Sequence, residues 1–158
     1  MIKIQDLNLK EIDKKTGFCL VAILLAFVFS LLLFLVNYPG KRYNFYFESV
    51  DTGKICYETR FLQHKKFEES VKSYVDELLL GPKTERLRPL FSPNTKESFC
   101  FIKKDTLYVN ITSDSLRMTG NASDILKGTE LFKKNILKTF GKINNVEIYI
   151  DNKSIYKY

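Results

Sequence analysis

Residues 18–36 read FCLVAILLAFVFSLLLFLV, nineteen in a row with no charge and with Ser30 as the one polar side chain. At ~1.5 Å per helical residue, such a run nearly matches the ~30 Å hydrocarbon core of a bilayer. A core helix of a soluble protein keeps a polar stripe, whereas this segment is apolar all round. A cleaved signal peptide has a shorter apolar region followed by small residues, and NYPGKR at 37–42 offers no such site. No lipoprotein-type small residues precede Cys19, which sits at the near end of the run. The segment reads as an uncleaved anchor over residues 17–37, leaving a tail of residues 1–16 and a domain of residues 38–158.

Lys3, Lys10, Lys14 and Lys15 precede the span, while Lys41, Arg42 and Lys54 follow it closely. The basic bias favours a cytoplasmic amino terminus by one charge. A short tail before a single span, with the folded part after it, suits the same orientation. The expectation is a single-pass protein of the cytoplasmic membrane with its carboxy-terminal domain extracytoplasmic.

With 158 residues, the chain has room for one ordinary domain beyond the anchor. It carries 25 Lys+Arg against 18 Asp+Glu. Leaving out residues 1–37 removes four bases and three acids, so the exported part holds 21 against 15, a net +6. Such a surface is attracted to anionic lipid headgroups or acidic wall polymers. Nucleic acid is excluded as a partner, because the bases are interspersed with acids and the topology puts the domain on the wrong side.

Past the span, Tyr38-Pro39-Gly40 ends the helix, with Tyr38 suited to the headgroup level. Residues 43–49 and 54–62 flank the turn Asp51-Thr52-Gly53 and read as a β-hairpin with Phe45 and Phe47 on one face and Asn44, Tyr46 and Glu48 on the other. From Lys66 to Leu80 the apolar residues Phe67, Val71, Tyr74, Val75, Leu78 and Leu79 recur at helical spacing, and Gly81-Pro82 stops the pattern. Residues 97–103 and 106–111 form a second hairpin through Lys104-Asp105, with Leu107, Val109 and Ile111 facing the core. After a polar loop at 112–124, Thr129 is the expected cap of a helix burying Leu131, Ile136, Leu137 and Phe140 and stopping at Gly141. Residues 146–150 make a last strand, with 154–156 as a short edge. The order β-β-α-β-β-α-β describes an α+β fold with two helices packed on one β-sheet, preceded by a single transmembrane helix.

Reactive groups are sparse. His64 is the only histidine, and Gln63, Lys65 and Lys66 around it mark a solvated loop, so neither a nucleophile–His site nor a metal site can be assembled. Glu68-Glu69 fall in the first turn of a helix, where the macrodipole favours negative charge, and Asp76-Glu77 are expected to face water. No two carboxyls are placed across a cleft as a glycosidase needs, and Gly81-Pro82-Lys83-Thr84 lacks phosphate-loop spacing. The sequons at Asn110 and Asn121 carry meaning only in a glycosylating host. Outside the span, Cys56 and Cys100 are the only pair able to bridge; the reading taken is two buried thiols. No catalytic, cofactor or metal residue is named. Two stretches remain as contact candidates: Lys83, Arg86 and Arg88 with Leu87, Leu90 and Phe91, of which the last two are expected to plug the core, and the face of Lys133, Lys134, Lys138 and Lys142.

Five segments in order resemble the GerMN domain, the sporulation and spore germination family of exported bacterial proteins. FYFESVDTGKICYETRFL at 45–62 is similar to that family's opening hairpin with its "e.R.L" ending, and LLLGP at 78–82 to its "LL.GP" helix end. LRPLFSPNT at 87–95, DTLYVNIT at 105–112 and NILKTFGKINNVEIYID at 135–151 resemble its proline loop, its central strand and its closing helix and strand. Ser92 replaces a small apolar residue, Asp105-Thr106 lacks the turn glycine, and Asn152 stands where the family often has glycine. The resemblance implies a fold similar to ring-building motifs: helix, two strands, helix and strand over residues 66–151, with the 43–62 hairpin added in front. It further implies a non-catalytic assembly role. The expected function is therefore a membrane-anchored envelope scaffold whose partners are envelope proteins, with weak homo-oligomerisation; the alternatives are a wall-polymer-binding module and, third, an enzyme of envelope turnover.

Overall fold

A computed structural model of the chain describes residues 14–36, 40–63, 65–117 and 122–155. His64, Tyr38, Pro39, Asn121 and Tyr156, to which the sequence reading assigned places, lie outside the described residues. The chain divides into two compact units, Met1–Tyr38 and Pro39–Tyr158.

Among the described residues the first unit is the helix α1, Lys14–Val36. Its stretch Thr16–Val36 is long and apolar enough to cross a membrane, with a mean hydropathy of 3.2 and none of that window buried.

The second unit is α+β in the expected order, with one two-residue strand, Leu87–Arg88, added between its first helix and its second hairpin. It comprises β1 (Lys41–Ser49), β2 (Ile55–Leu62), α2 (Phe67–Leu79), β3 (Leu87–Arg88), β4 (Glu97–Lys103) and β5 (Thr106–Ile111). A 3-10 turn (Ser113–Arg117), α3 (Ile125–Thr139), β6 (Asn145–Ile150) and β7 (Lys153–Ser154) follow. One expectation is corrected: the strands form two sheets, β2-β1-β3 and β4-β5-β6-β7. The reason is visible at the edge of β1 away from β2. There β3 pairs only with Glu48 and Ser49. The next groups along that edge are taken by side chains: Asn135 of α3 accepts from Tyr46 N–H at 2.8 Å and donates to Tyr46 C=O at 2.9 Å, and the Tyr74 hydroxyl donates to Asn44 C=O at 2.9 Å. A strand edge satisfied this way neither needs nor admits another strand.

In the second sheet β4 and β5 form a tight hairpin, and β5 and β6 run parallel, joined through α3 as a crossover. Helical spacing on α2 delivers Val71, Tyr74, Val75, Leu78 and Leu79 to the core, while Phe67 stays partly exposed. Alternation along β1 buries Phe45 and Phe47, and alternation along β5 buries Leu107, Val109 and Ile111. On α3 the buried set is Leu131, Phe132 and Ile136, with Phe140 at the helix end; Leu137 points outward. The aromatic centre is Tyr74, stacked on Phe45 at 4.3 Å and edge-on to Phe140 at 5.2 Å. Such pairs are worth ~0.5–1.5 kcal/mol beyond the area they bury.

The cap of α3 is also corrected. Asp124 stands at the N-cap and accepts from Leu126 N–H at 2.8 Å. Thr129 lies one turn inside, buried, its hydroxyl donating to Ile125 C=O. The helix starts five residues early because Ile125 packs against the core.

Candidate interaction surfaces

Of the paired carboxylates named from the sequence, Glu77 alone joins a structural cluster, and that cluster is built on Arg60 of β2. Alternation on β2 sends Arg60 inward, where it is 4% exposed with its guanidinium 4.8 Å from the Phe45 ring centre. It forms ion pairs with Glu58 and, at 2.8 Å, with Glu77, and it donates to the carbonyls of Glu77 and Gly81. Glu58 also accepts from Lys83 N–H at 3.1 Å. Glu77 therefore faces water only in part, about a third exposed, and otherwise belongs to the Arg60 cluster. Asp76 does face solvent, its carboxyl raised above the usual range by partial burial and then by nearby Glu97. Glu68 and Glu69 are exposed in the first turn of α2. All five donors of Arg60 are aimed at one helix end and one strand, an arrangement that holds a fold together.

The loop after α2 is no free patch. Leu90 and Phe91 are buried at 1% and 2%, and Phe91 packs on Phe132. Lys138 of α3 lies over the Tyr46 ring at 4.0 Å, and Lys142, in the turn after the helix, lies over the Phe67 ring at 5.3 Å. The three cysteines are free. Cys100 is half-buried, its thiol pushed up to about 12 by burial and then by Glu97, whereas Cys56 is exposed, against expectation, at the turn end of edge strand β2, where Ile55 and Tyr57 are exposed as well. The Asn110 side chain is buried and bonded to Asn152, whose φ of 67° is the left-handed conformation for which the family's glycine is suited. Among the described residues no three His, Cys, Asp or Glu side chains gather as a metal ion requires.

Sequence reasoning passed over a third surface. The core residues of β5 and β6 face α2 and α3, so alternation places Phe99, Phe101, Tyr108 and Tyr149 on the opposite face of the second sheet. Their rings touch in a row: Phe101 stacks on Tyr108 at 5.1 Å, Phe99 lies 5.7 Å from Phe101, and Tyr149 lies 6.4 Å from Phe99. Phe101 is 49% exposed. An open groove of about 900 Å³, walled by Leu116, Ile125 and Ile155, adjoins the row at Tyr149. The signal was present in the sequence as Phe99 and Phe101 two apart in a strand whose partner strand β5 sends its other face into the core.

The first GerMN domain of the sporulation protein GerM from Bacillus subtilis is similar in fold, with a TM-score of 0.56 at 17% identity over 73% of this chain and 86% of that one. The tandem GerMN domains of the same protein give 0.55 at 17% identity, over 73% of this chain and 40% of that one. No curated protein matches the chain. The family model for sporulation and spore germination matches residues 44–156, which takes in nearly every strand and both helices of the second unit. The chain belongs to the sporulation and spore germination family, and its second unit is a domain of the GerMN type.

Proposed function

We propose that this is a bitopic envelope protein, held by α1 in the cytoplasmic membrane with its amino terminus inside, whose GerMN-type domain is a non-catalytic contact module for another envelope protein. One observation carries the reading: a row of touching aromatic rings lies on the sheet face opposite to the one on which α2 and α3 pack, and no helix among the described residues covers it. Aromatic side chains bring large rigid area at low entropic cost and are enriched at protein contacts. The anchor adds to this by confining the domain to a plane, which raises the effective concentration for weak lateral contacts.

The test is photo-crosslinking in living cells, with a benzoylphenylalanine at position 101 and, as control, at position 85. A discrete adduct with an envelope protein from position 101, absent from position 85, supports the module. No adduct from position 101, or the same adducts from both, overturns it; an adduct of twice the chain mass reassigns the face to self-association.

A further inference from the structure

The net charge of the second unit is not spread evenly, and the topology explains where it collects. β1 starts with Lys41 and Arg42, and Lys41 pairs with Leu62 at the end of β2. That end leads directly into Lys65 and Lys66 before α2. The first residue of α2, Phe67, carries the Lys142 ammonium over its ring. Lys142 precedes Asn144, whose N–H donates to Asp105 C=O in the β4–β5 turn, and that turn holds Lys103 and Lys104. Seven exposed bases thus share one end of the domain, against the acids Glu68, Glu69 and Asp105. This end holds four of the six net positive charges. None of the seven bases is in an ion pair among the described residues. Phe61, paired with Arg42, is 55% exposed among them.

The basic end is also the end at which the chain enters from α1. Val36 closes α1 and Lys41 opens β1, so five residue steps separate them and the extended chain reaches at most ~18 Å. With α1 in a bilayer, that tether keeps the start of β1 close to the headgroups, where surface potentials act within a Debye length of ~8 Å.

We infer that the basic end, with Phe61 and Phe67, docks on anionic lipid headgroups and thereby sets the orientation of the domain, leaving the aromatic face of the second sheet free at the side. The inference rests on the anchored reading above. Lipid is favoured over wall polymer because the excess charge sits at the tethered end, while the rest of the domain is nearly balanced, with fourteen bases against twelve acids.

The test uses the full chain in nanodiscs of phosphatidylcholine alone or with phosphatidylglycerol, with amine-reactive labelling of each lysine read by mass spectrometry. Labelling of Lys65, Lys66, Lys103, Lys104 and Lys142 is expected to slow by about threefold or more on the anionic discs and to recover in high salt, while Lys83, Lys96 and Lys153 label alike on both. Equal rates at the basic end on both discs, or slowing at both ends alike, overturn the inference. Protection of the same lysines on neutral discs by a soluble phosphate polymer, with no effect of phosphatidylglycerol, moves the contact from lipid to wall polymer and also overturns it. Flotation with neutral vesicles in high salt separates the two readings: a chain that fails to float loses its anchor, whereas a chain that floats but labels indifferently loses only the docking.

Discussion

Arg60 Nη2 lies 2.5 Å from the carbonyl oxygen of Gly81, so the second strand of the front hairpin is fastened to the exit of α2. Gly81 takes a φ of +84°, which turns the chain out of the helix and offers that carbonyl to the guanidinium. Two motifs that are separate in the sequence, "e.R.L" and "LL.GP", are one contact in space.

Replacing Arg60 with Ala is therefore expected to cost roughly 3–5 kcal/mol, because it leaves Glu58 and two carbonyls without their donor. Glu77→Gln, at a side chain about a third exposed, costs no more than ~1 kcal/mol. Urea unfolding of the full chain in mild detergent measures both. Similar midpoints for the two variants would show that the cluster is not what closes the hairpin on the helix.

Asn135 uses its whole amide beside the edge of β1: it accepts from Tyr46 N–H, donates to Tyr46 C=O and Leu131 C=O, and shares with Asn44 C=O the one proton of the Tyr74 hydroxyl. Asn135→Leu keeps the volume but strands those groups. We expect a loss of ~2–4 kcal/mol, since one unpartnered buried polar group alone costs ~1–3 kcal/mol. Amide exchange at Tyr46 should accelerate well beyond that of Phe47; unchanged exchange there would mean that the edge is closed by something else.

Gly128 sits inside α3, where alanine is the better helix former by ~1 kcal/mol. A Cβ at this position would stand 2.1 Å from the Leu90 carbonyl oxygen. Gly128→Ala is thus expected to destabilise by ~1–3 kcal/mol despite the propensity gain. A stabilised variant in the same urea assay would contradict the close packing of α3 on the proline loop.

Burial holds the Cys100 thiol at about 12, against 9.0 for an ordinary thiol. At neutral pH the thiolate fraction is about a thousandfold below that of a free cysteine. In a Cys19→Ser background, Cys56 should react with a disulfide reagent within minutes and Cys100 only after denaturant is added. The stability linked to Cys100 is whole below pH 9.0 and is lost as pH climbs toward about 12, because the unfolded chain ionises first. Equal reactivity of the two thiols in the native chain would contradict the assigned burial.

Much of this architecture is legible in the residues alone, where the signal is local and periodic. Phe45 and Phe47 two apart and Val71 to Leu79 at helical steps each declare an element and its buried face, and the nineteen uncharged residues at 18–36 declare the helix α1. What escaped is pairing across distance. Asn135 is a polar residue on an amphipathic helix and reads as solvent-facing; only the unfilled edge of β1, 89 residues away, gives it a reason to be buried. The division into two sheets follows from the same pair and was invisible for the same reason. Thr129 reads as a cap because its hydroxyl suits one, yet Ile125 has core to pack on, and the helix extends back to Asp124. The aromatic row escaped because β4 alternates between two partly apolar faces, Cys100 and Ile102 inward and Phe99 and Phe101 outward, so its sequence shows no single polar side.

The central claim is an anchored domain on the outer side of the membrane, and the exposed Cys56 thiol provides its most direct test. Intact cells are treated with a membrane-impermeant maleimide, and the protein is then recovered from the membrane fraction. The account predicts labelling of the full-length chain before lysis, abolished by Cys56→Ser. Labelling that appears only after lysis, or a labelled product that is soluble and lacks α1, would contradict it.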